Sequence, residues 1–342
     1  MGRASAKQYG ILVEIAKAAG VSQGTVSKVV HGKRDVGAET RRRIEELLDA
    51  HGYVRPEAAP KRNRVYAVFR DLRSPYTHEI ARSIVEAGMA ENLETVVATT
   101  EHRPIAHWLE ASESPGSLGL VLVISMMSDR DQERVRDQHA PVVLLDPLAE
   151  PLQGVTSLGV TNWQGGKEAV RHLLSLGHTR IGAVSGRPHS PAGAARMHGY
   201  RAAIHEAGIE YDSTLVRATD FDYHESVRAT LQLLQLPQPP TAIFATSDSQ
   251  ALGTLEAARR LGVTVPDSLS VVSFDDTTAA ATASPPLTAI RQPYEELGQV
   301  AVRVLMDVAR GAAVPDRLEI ATTLSVRQST TAPLPAETPA SV

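Results

Sequence analysis

Residues 14–56, EIAKAAGVSQGTVSKVVHGKRDVGAETRRRIEELLDAHGYVRP, constrain the fold more than any other stretch of the chain. An apolar-periodic helix from Ile11 to Ala19 runs into Gly20, then Val21 and Ser22, then a second helix through Val30. Gly20 supplies a left-handed turn residue and Ser22 an N-cap. Val26, Val29 and Val30 fall at i, i+3, i+4 and predict the buried stripe of the second helix. Gly24, Ser27, Lys28 and His31 form its polar stripe, with Gln23 in the first turn. A third helix fits Ala38 to His51, with Ile44, Leu47 and Leu48 inward, Gly52 as its stop, and Arg41, Arg42 and Arg43 near its start. This is the grammar of a helix-turn-helix, and the small, singly basic face of its second helix suits a DNA major groove.

Charge divides the chain in the same place. Residues 1–64 hold 13 Lys+Arg against 7 Asp+Glu, formally +6, and the remainder holds 22 against 32, or −10. A basic head on an acidic body fits a DNA-binding unit joined to one that avoids nonspecific adhesion. With 342 residues, two to three domains are expected. There is no cysteine, so a disulfide framework and a Cys-based metal site are excluded; the 12 His show no metal-ligand spacing. No apolar run approaches the roughly 20 residues of a membrane span, and the first residues lack a signal-peptide core. A soluble cytoplasmic protein is expected, with no membrane partner.

The body alternates short apolar runs with amphipathic helices. Strands are expected at 65–70, 94–99, 119–124, 142–146, 157–160, 181–185, 215–218, 242–246 and 269–274. Helices are expected at 78–91, 131–139, 163–176, 192–207, 223–234, 249–261 and 294–310. This predicts parallel sheets wrapped by helices, with ligands beyond the carboxyl ends of the strands. Several of those ends are polar: Arg70-Asp71, Ser125, Asp146, Ser185-Gly186, Thr246-Ser247-Asp248 and Asp275-Asp276.

Glu14-Ile15-Ala16, Ala19-Gly20-Val21-Ser22, Thr25-Val26-Ser27-Lys28-Val29-Val30, Gly32, Val36, Thr40-Arg41, Leu47, Gly52-Tyr53 and Pro56 match, in order, the headpiece signature of the LacI/GalR transcription regulators. In the body, Gly177-His178-Thr179-Arg180-Ile181, Arg196 through Tyr200, Pro240 through Gly253, Val265 through Asp276 and Pro286 through Gln292 also resemble that family's motifs. The chain is similar to the family from about residue 11 to 330. The resemblance implies an all-α helix-turn-helix headpiece on an α/β body of the periplasmic-binding-protein type I fold, two Rossmann-like lobes around a ligand cleft. The implied domains are a headpiece at 1–56, a basic linker at 57–64, a body at 65–330 and a disordered tail at 331–342. The N-lobe is expected at 65–160 and 288–313, the C-lobe at 161–287 and 314–330.

The resemblance implies operator DNA, a mono- or oligosaccharide effector and a second copy of the chain as partners, with no cofactor and no catalytic residue. The implied DNA-binding residues are Ser22, Gln23, Gly24, Thr25, Ser27, Lys28, His31, Thr40, Arg41, Tyr53, Lys61 and Arg62. The implied effector residues are Asp146, Arg196, Phe221 and Asp275, joined by Asp71, Tyr76, Ser125, Ser247, Asp248 and Gln292. Carboxylates accept from two hydroxyls, Arg donates a planar fork and an aromatic face packs on sugar C–H groups. Asp275-Asp276 can equally serve as a strand-end cap or as the ion-pair partner of Arg196, and Asp71 can pair with Arg70 or Arg73. Ser247 stands where sugar-binding relatives often carry Asn.

The linker departs from the family pattern. VRPEAAPKRNRVYAV places Pro60 inside the would-be hinge helix and offers no Leu or Ile wedge. A basic tether is expected, with Lys61, Arg62 and Arg64 at phosphate. Three functions remain open on sequence: a ligand-responsive repressor, a DNA-binding protein whose cleft serves only dimerisation, and a sugar-processing enzyme. The last needs a carboxylate pair about 5–10 Å apart, and no motif selects one.

Overall fold

The computed structural model describes residues 3–30, 36–51, 53, 63–124, 127–145, 152–186 and 190–334. They form two compact units divided between Arg62 and Asn63.

The first unit holds α1 (Arg3–Ala19), α2 (Gln23–Val30) and α3 (Ala38–Ala50). α1 begins eight residues before the apolar period that announces it. Gly20 takes a φ of +70°, turning the chain between α1 and α2. Ile15, Val26, Val29, Ile44 and Leu48 close a small core, which also takes in Tyr53.

The second unit opens with β1 (Arg64–Phe69), α4 (Pro75–Ala90), β2 (Glu94–Thr99), α5 (Ile105–Ser112), β3 (Ser117–Val123), α6 (Asp129–Arg136), β4 (Val142–Leu145) and β5 (Thr156–Val160). It continues with α7 (Asn162–Ser175), β6 (Ile181–Ser185), α8 (Pro191–Glu206), β7 (Val216–Ala218), α9 (Tyr223–Leu234), β8 (Ala242–Ala245), α10 (Asp248–Leu261), β9 (Ser270–Asp275) and α11 (Thr278–Ala281). β10 (Thr288–Arg291), α12 (Tyr294–Ala309), β11 (Arg317–Ile320) and β12 (Thr323–Ser325) complete it.

Two six-stranded sheets result, ordered β2-β1-β3-β4-β5-β11 and β7-β6-β8-β9-β10-β12. All pairs are parallel except β10 with β12. Alternation distributes each strand between two layers. Val65, Ala67 and Phe69 pack under α4 and α12, while Tyr66 and Val68 face α5 and α6. In the second lobe Ala183, Phe244 and Phe274 meet α7 and α8, and Val184, Ile243 and Val271 meet α9 and α10.

Each lobe is finished by strands that leave and return. β5 feeds α7 of the second lobe, β10 feeds α12 of the first, and β11 and β12 close opposite sheets. This corrects the expected lobe boundaries. Residues 288–291 belong to the second lobe, because Ile290 pairs with Phe274. Residues 317–320 belong to the first, because Leu318 pairs with Leu158. β10, β11 and β12 are three or four residues long and so carry too little periodicity to declare a sheet. Arg64, expected in the linker, opens β1 and pairs with Glu94 at 3.7 Å.

The expected disordered tail is ordered at its start. Thr331 N–H donates to Ser270 Oγ, and Thr331 O accepts from Ser270 Oγ and bonds His178 Nε2 at 2.9 Å. His172 Nε2 meets Thr330 Oγ1 at 3.0 Å. Burial holds both imidazoles below the ordinary histidine pKa. The folded state therefore disfavours protons that the unfolded chain accepts below about pH 6.5. Stability is expected to be full above that pH and to fall as pH drops through it. Thermal melts between about pH 7.5 and 5.5 check this; a slope that His178→Gln leaves unchanged contradicts it.

Candidate functional sites: a helix-turn-helix face and an interlobe polar cluster

In the first unit, Ser22 Oγ accepts from Thr25 N–H at 3.2 Å and bonds Thr25 Oγ1 at 2.9 Å, capping α2. Burial of Val26, Val29 and Val30 turns Gln23, Gly24, Ser27 and Lys28 outward. A Cβ built on Gly24 meets only Ser22 Oγ, at 3.6 Å, so the position is open. Thr40 and Arg41 are half-buried in the first turn of α3. Tyr53 is 8% exposed and its ring packs in the headpiece core. His31, Lys61 and Arg62 lie outside the described residues.

In the second unit, three of the expected effector residues converge. α8 starts at Pro191 after the Ser190 cap, whose Oγ accepts from Gly193 N–H. One turn later it presents Arg196. The guanidinium stacks on Phe274, 3.7 Å from the ring centre. Its Nε donates to Asn162 Oδ1 at 2.8 Å, and Nη1 donates to Thr246 O at 2.6 Å and to Asp275 Oδ1 at 3.3 Å. Gln292 Nε2 donates to the same Oδ1 at 2.7 Å. Arg196, Asp275 and Gln292 are each at most 5% exposed.

Asp275 ends β9 with φ +116°, and Asp276 follows at +59°. Such backbone costs on the order of 1–3 kcal/mol and persists only where its surroundings fix it. Here Gln292 N–H and Tyr294 Oη–H both donate to Asp275 O, and Asp276 is held by Ser325 Oγ and Arg327. Asp248 Oδ2 accepts from Thr277 N–H and Oγ1, and its Oδ1 from Ser273 Oγ. Burial raises the pKa of Asp275, opposed by the Arg196 charge, and burial also raises that of Asp248, opposed by these three donors.

The remaining expected residues divide. Phe221, at φ +56°, lays its ring over Gly186 and Gly193, beside Thr246, whose Oγ1 accepts from Gly186 N–H. Tyr76 sits 6.1 Å from Tyr294, ring to ring. Ser247 caps α10 and Asp248 knots its own lobe, so their polar groups are already engaged. Asp71 takes Arg70 Nε and Arg73 N–H, its alternative role. Ser125 and Asp146 lie outside the described residues. Thr246, one of the polar strand ends, is part of the cluster, and so are Asn162 and Tyr294, which were not anticipated; Asn162, the first residue after a lobe crossing, carries no charge or motif to mark it.

A hollow of about 810 Å³ opens beside this cluster, lined by Glu79, Thr278, Arg291, Gln292, Tyr294 and Arg303 among others. Arg196 and Phe221 are absent from its wall, so it is a neighbour of the cluster and not the cluster's own cleft. Among the described residues no group of His, Asp or Glu has the spacing to hold a metal ion.

Residues 170–330 match the model of the periplasmic binding protein-like domain, and residues 11–56 that of the bacterial regulatory proteins of the lacI family. The chain is 32% identical to the HTH-type transcriptional regulator CelR of Thermobifida fusca over 332 residues, 92% of this chain and 96% of that protein. It is 31% identical to the HTH-type transcriptional repressor CytR of Escherichia coli K12 over 309 residues, 88% and 90% of the two. Among solved structures, a CelR–cellobiose complex superposes with TM-score 0.71 at 31% identity, covering 93% of this chain and 99% of that one. The lac repressor dimer bound to operator and the anti-inducer ONPF superposes with TM-score 0.74 at 26% identity, covering 93% and 98%. A helix-turn-helix headpiece on a two-lobed α/β body, matched along nine-tenths of its length, makes this chain a member of the lacI family of bacterial regulatory proteins.

Proposed function

We propose that this family member is a cytoplasmic transcriptional repressor that binds a pseudo-palindromic operator as a homodimer and leaves it when a carbohydrate occupies the interlobe cleft. The observation that carries the effector assignment is the Arg196–Asp275–Gln292 cluster, set at the carboxyl ends of the second sheet and beside a lobe crossing. Carboxyl ends of parallel strands are where such folds take ligands. Two arms of the Arg196 fork are already occupied by Asn162, Thr246 and Asp275, which leaves Nη2, among the described residues, as the arm for a hydroxyl. Phe221 supplies the aromatic face. The relative solved with cellobiose makes a disaccharide the first ligand to try.

Calorimetric titration with cellobiose and a panel of mono- and oligosaccharides, followed by operator mobility shifts, tests the reading. Saturable binding that Phe221→Ala weakens, with operator release, is expected. The engagement of Ser247, Asp248 and Asp71 within the protein favours the second reading, a non-sugar effector or a cleft that binds nothing, and silence across the panel selects it.

At the DNA face, Gln23 and Lys28 are proposed to read base edges, since Lys donates to guanine O6/N7 and Gln pairs with adenine N6/N7. Gly24 offers no side chain, so one base pair per half-site is read loosely. Lys28→Ala is expected to cost about 1–3 kcal/mol and to relax preference at one operator position. Equal weakening on every single-base variant would mark a phosphate contact instead.

A further inference from the structure

Away from the crossovers, the lobes also touch where α4 meets the start of α11. Glu79 and Thr278 lie 199 positions apart in sequence. Glu79 Oε1 accepts from Thr278 N–H at 3.3 Å and from Thr278 Oγ1 at 2.8 Å. Its Oε2 accepts from Arg82 Nε and Nη2, at 3.2 and 3.0 Å, and Arg82 Nη1 reaches both oxygens of Glu86. The Glu79 side chain is 14% exposed while Thr278 is exposed, and both stand on the wall of the hollow. One carboxylate is thus shared between a helix of the first lobe and a loop of the second.

That loop is the one that carries the cluster. Asp275 takes Arg196 and Gln292, Thr277 is pinned at its N–H and hydroxyl by Asp248, and Thr278 comes next. With left-handed backbone at 275 and 276 and Thr277 tied down, little slack separates the Asp275 carboxylate from the Glu79 contact. Movement of one end has to strain or carry the other.

We propose that Glu79–Thr278 is an interlobe latch, which fixes the arrangement of the lobes by tying the Asp275 loop to α4 and thereby sets operator affinity. Its operator arm rests on the DNA-binding reading above; its lobe arm does not. The absence of cysteine allows two labels to be placed without background. Spin labels at Glu91→Cys on the end of α4 and Asp267→Cys in the second lobe, both exposed, report the lobe separation in full-length chain diluted with unlabelled chain. Glu79→Ala and Thr278→Val are each expected to shift or broaden the distance distribution and to change operator affinity about 3- to 10-fold in one direction, without any sugar. The double variant is expected to go no further than the larger single one, as for two halves of one contact. Thr278→Ser keeps both donors and is expected to restore wild-type behaviour, which a role in packing by the Thr methyl does not allow. Unchanged distances, additive effects, or altered distances with unchanged operator affinity overturn the proposal. If the latch variants behave as expected while the sugar panel is silent, the effector assignment fails and the latch stands.

Discussion

Arg196→Ala is expected to lower the stability of the two-lobed body by about 3–5 kcal/mol, because it leaves the Asp275 carboxylate buried without its cation. Asn162 Oδ1 and Thr246 O lose their donors in the same step. Asp275 already has its pKa raised by burial, and without Arg196 it rises further. A raised native pKa means that the folded state holds a proton the unfolded chain releases above about pH 4. The deficit is therefore largest above the native pKa of Asp275 and shrinks as pH falls below it. Denaturant unfolding of Arg196→Ala against pH checks the sign. Asp275→Asn in the same chain is expected to return much of the loss; no recovery would show that the pair is not the source.

The second large effect concerns the crossing of α7 and α8, which sets where Arg196 begins. A Cβ on Gly199 would stand 2.2 Å from Trp163 O, and one on Gly166 would stand 2.2 Å from Arg196 O. Both obstacles are backbone, so no side chain can turn away. Gly199→Ala is expected to cost about 1–3 kcal/mol by overpacking, and Gly166→Val more. At Gly166 the strain is delivered to the Arg196 backbone, so loss of ligand binding is expected to accompany the loss of stability in Gly166→Val. Gly24→Ala is the control: it too adds a methyl to a helical glycine but meets ordinary contact distance, and helix propensity makes it neutral or stabilising. Comparable melting losses for Gly199→Ala and Gly24→Ala would sink the argument.

Much of this was legible in the residues. The valines of α2 and Gly20 specify the headpiece because helical period and turn chemistry are both local. The central strands announce themselves as apolar runs between amphipathic helices. What sequence hid was allegiance. Arg317–Ile320 and Thr323–Ser325 are too short to carry a pattern, and only their pairing shows that they close different sheets. The site was legible in type and less so in role. Arg196 and Asp275 stood out as charged residues in motifs, but only coordinates show that Arg196 is held by a backbone carbonyl and an asparagine as well. Tyr53 shows the converse. A position shared with a DNA-binding signature can hold its place through the core.

The late return of the chain to its first lobe governs how such a molecule can be made and cut. α12 and β11 cover β3 and border β5, yet they follow all of the second lobe but β12 in sequence. A nascent chain emerging from the ribosome can complete its headpiece early, whereas its first lobe waits, with the α12 face bare, until residue 320 has been made. Loops of that length slow folding and lengthen the time that apolar surface stays exposed. Chimeras between relatives should accordingly be joined at 62/63, where one unit ends and another begins. A junction at 160/161 would leave the second lobe to one parent but build the first from two, with α12 and β11 foreign to β1–β5.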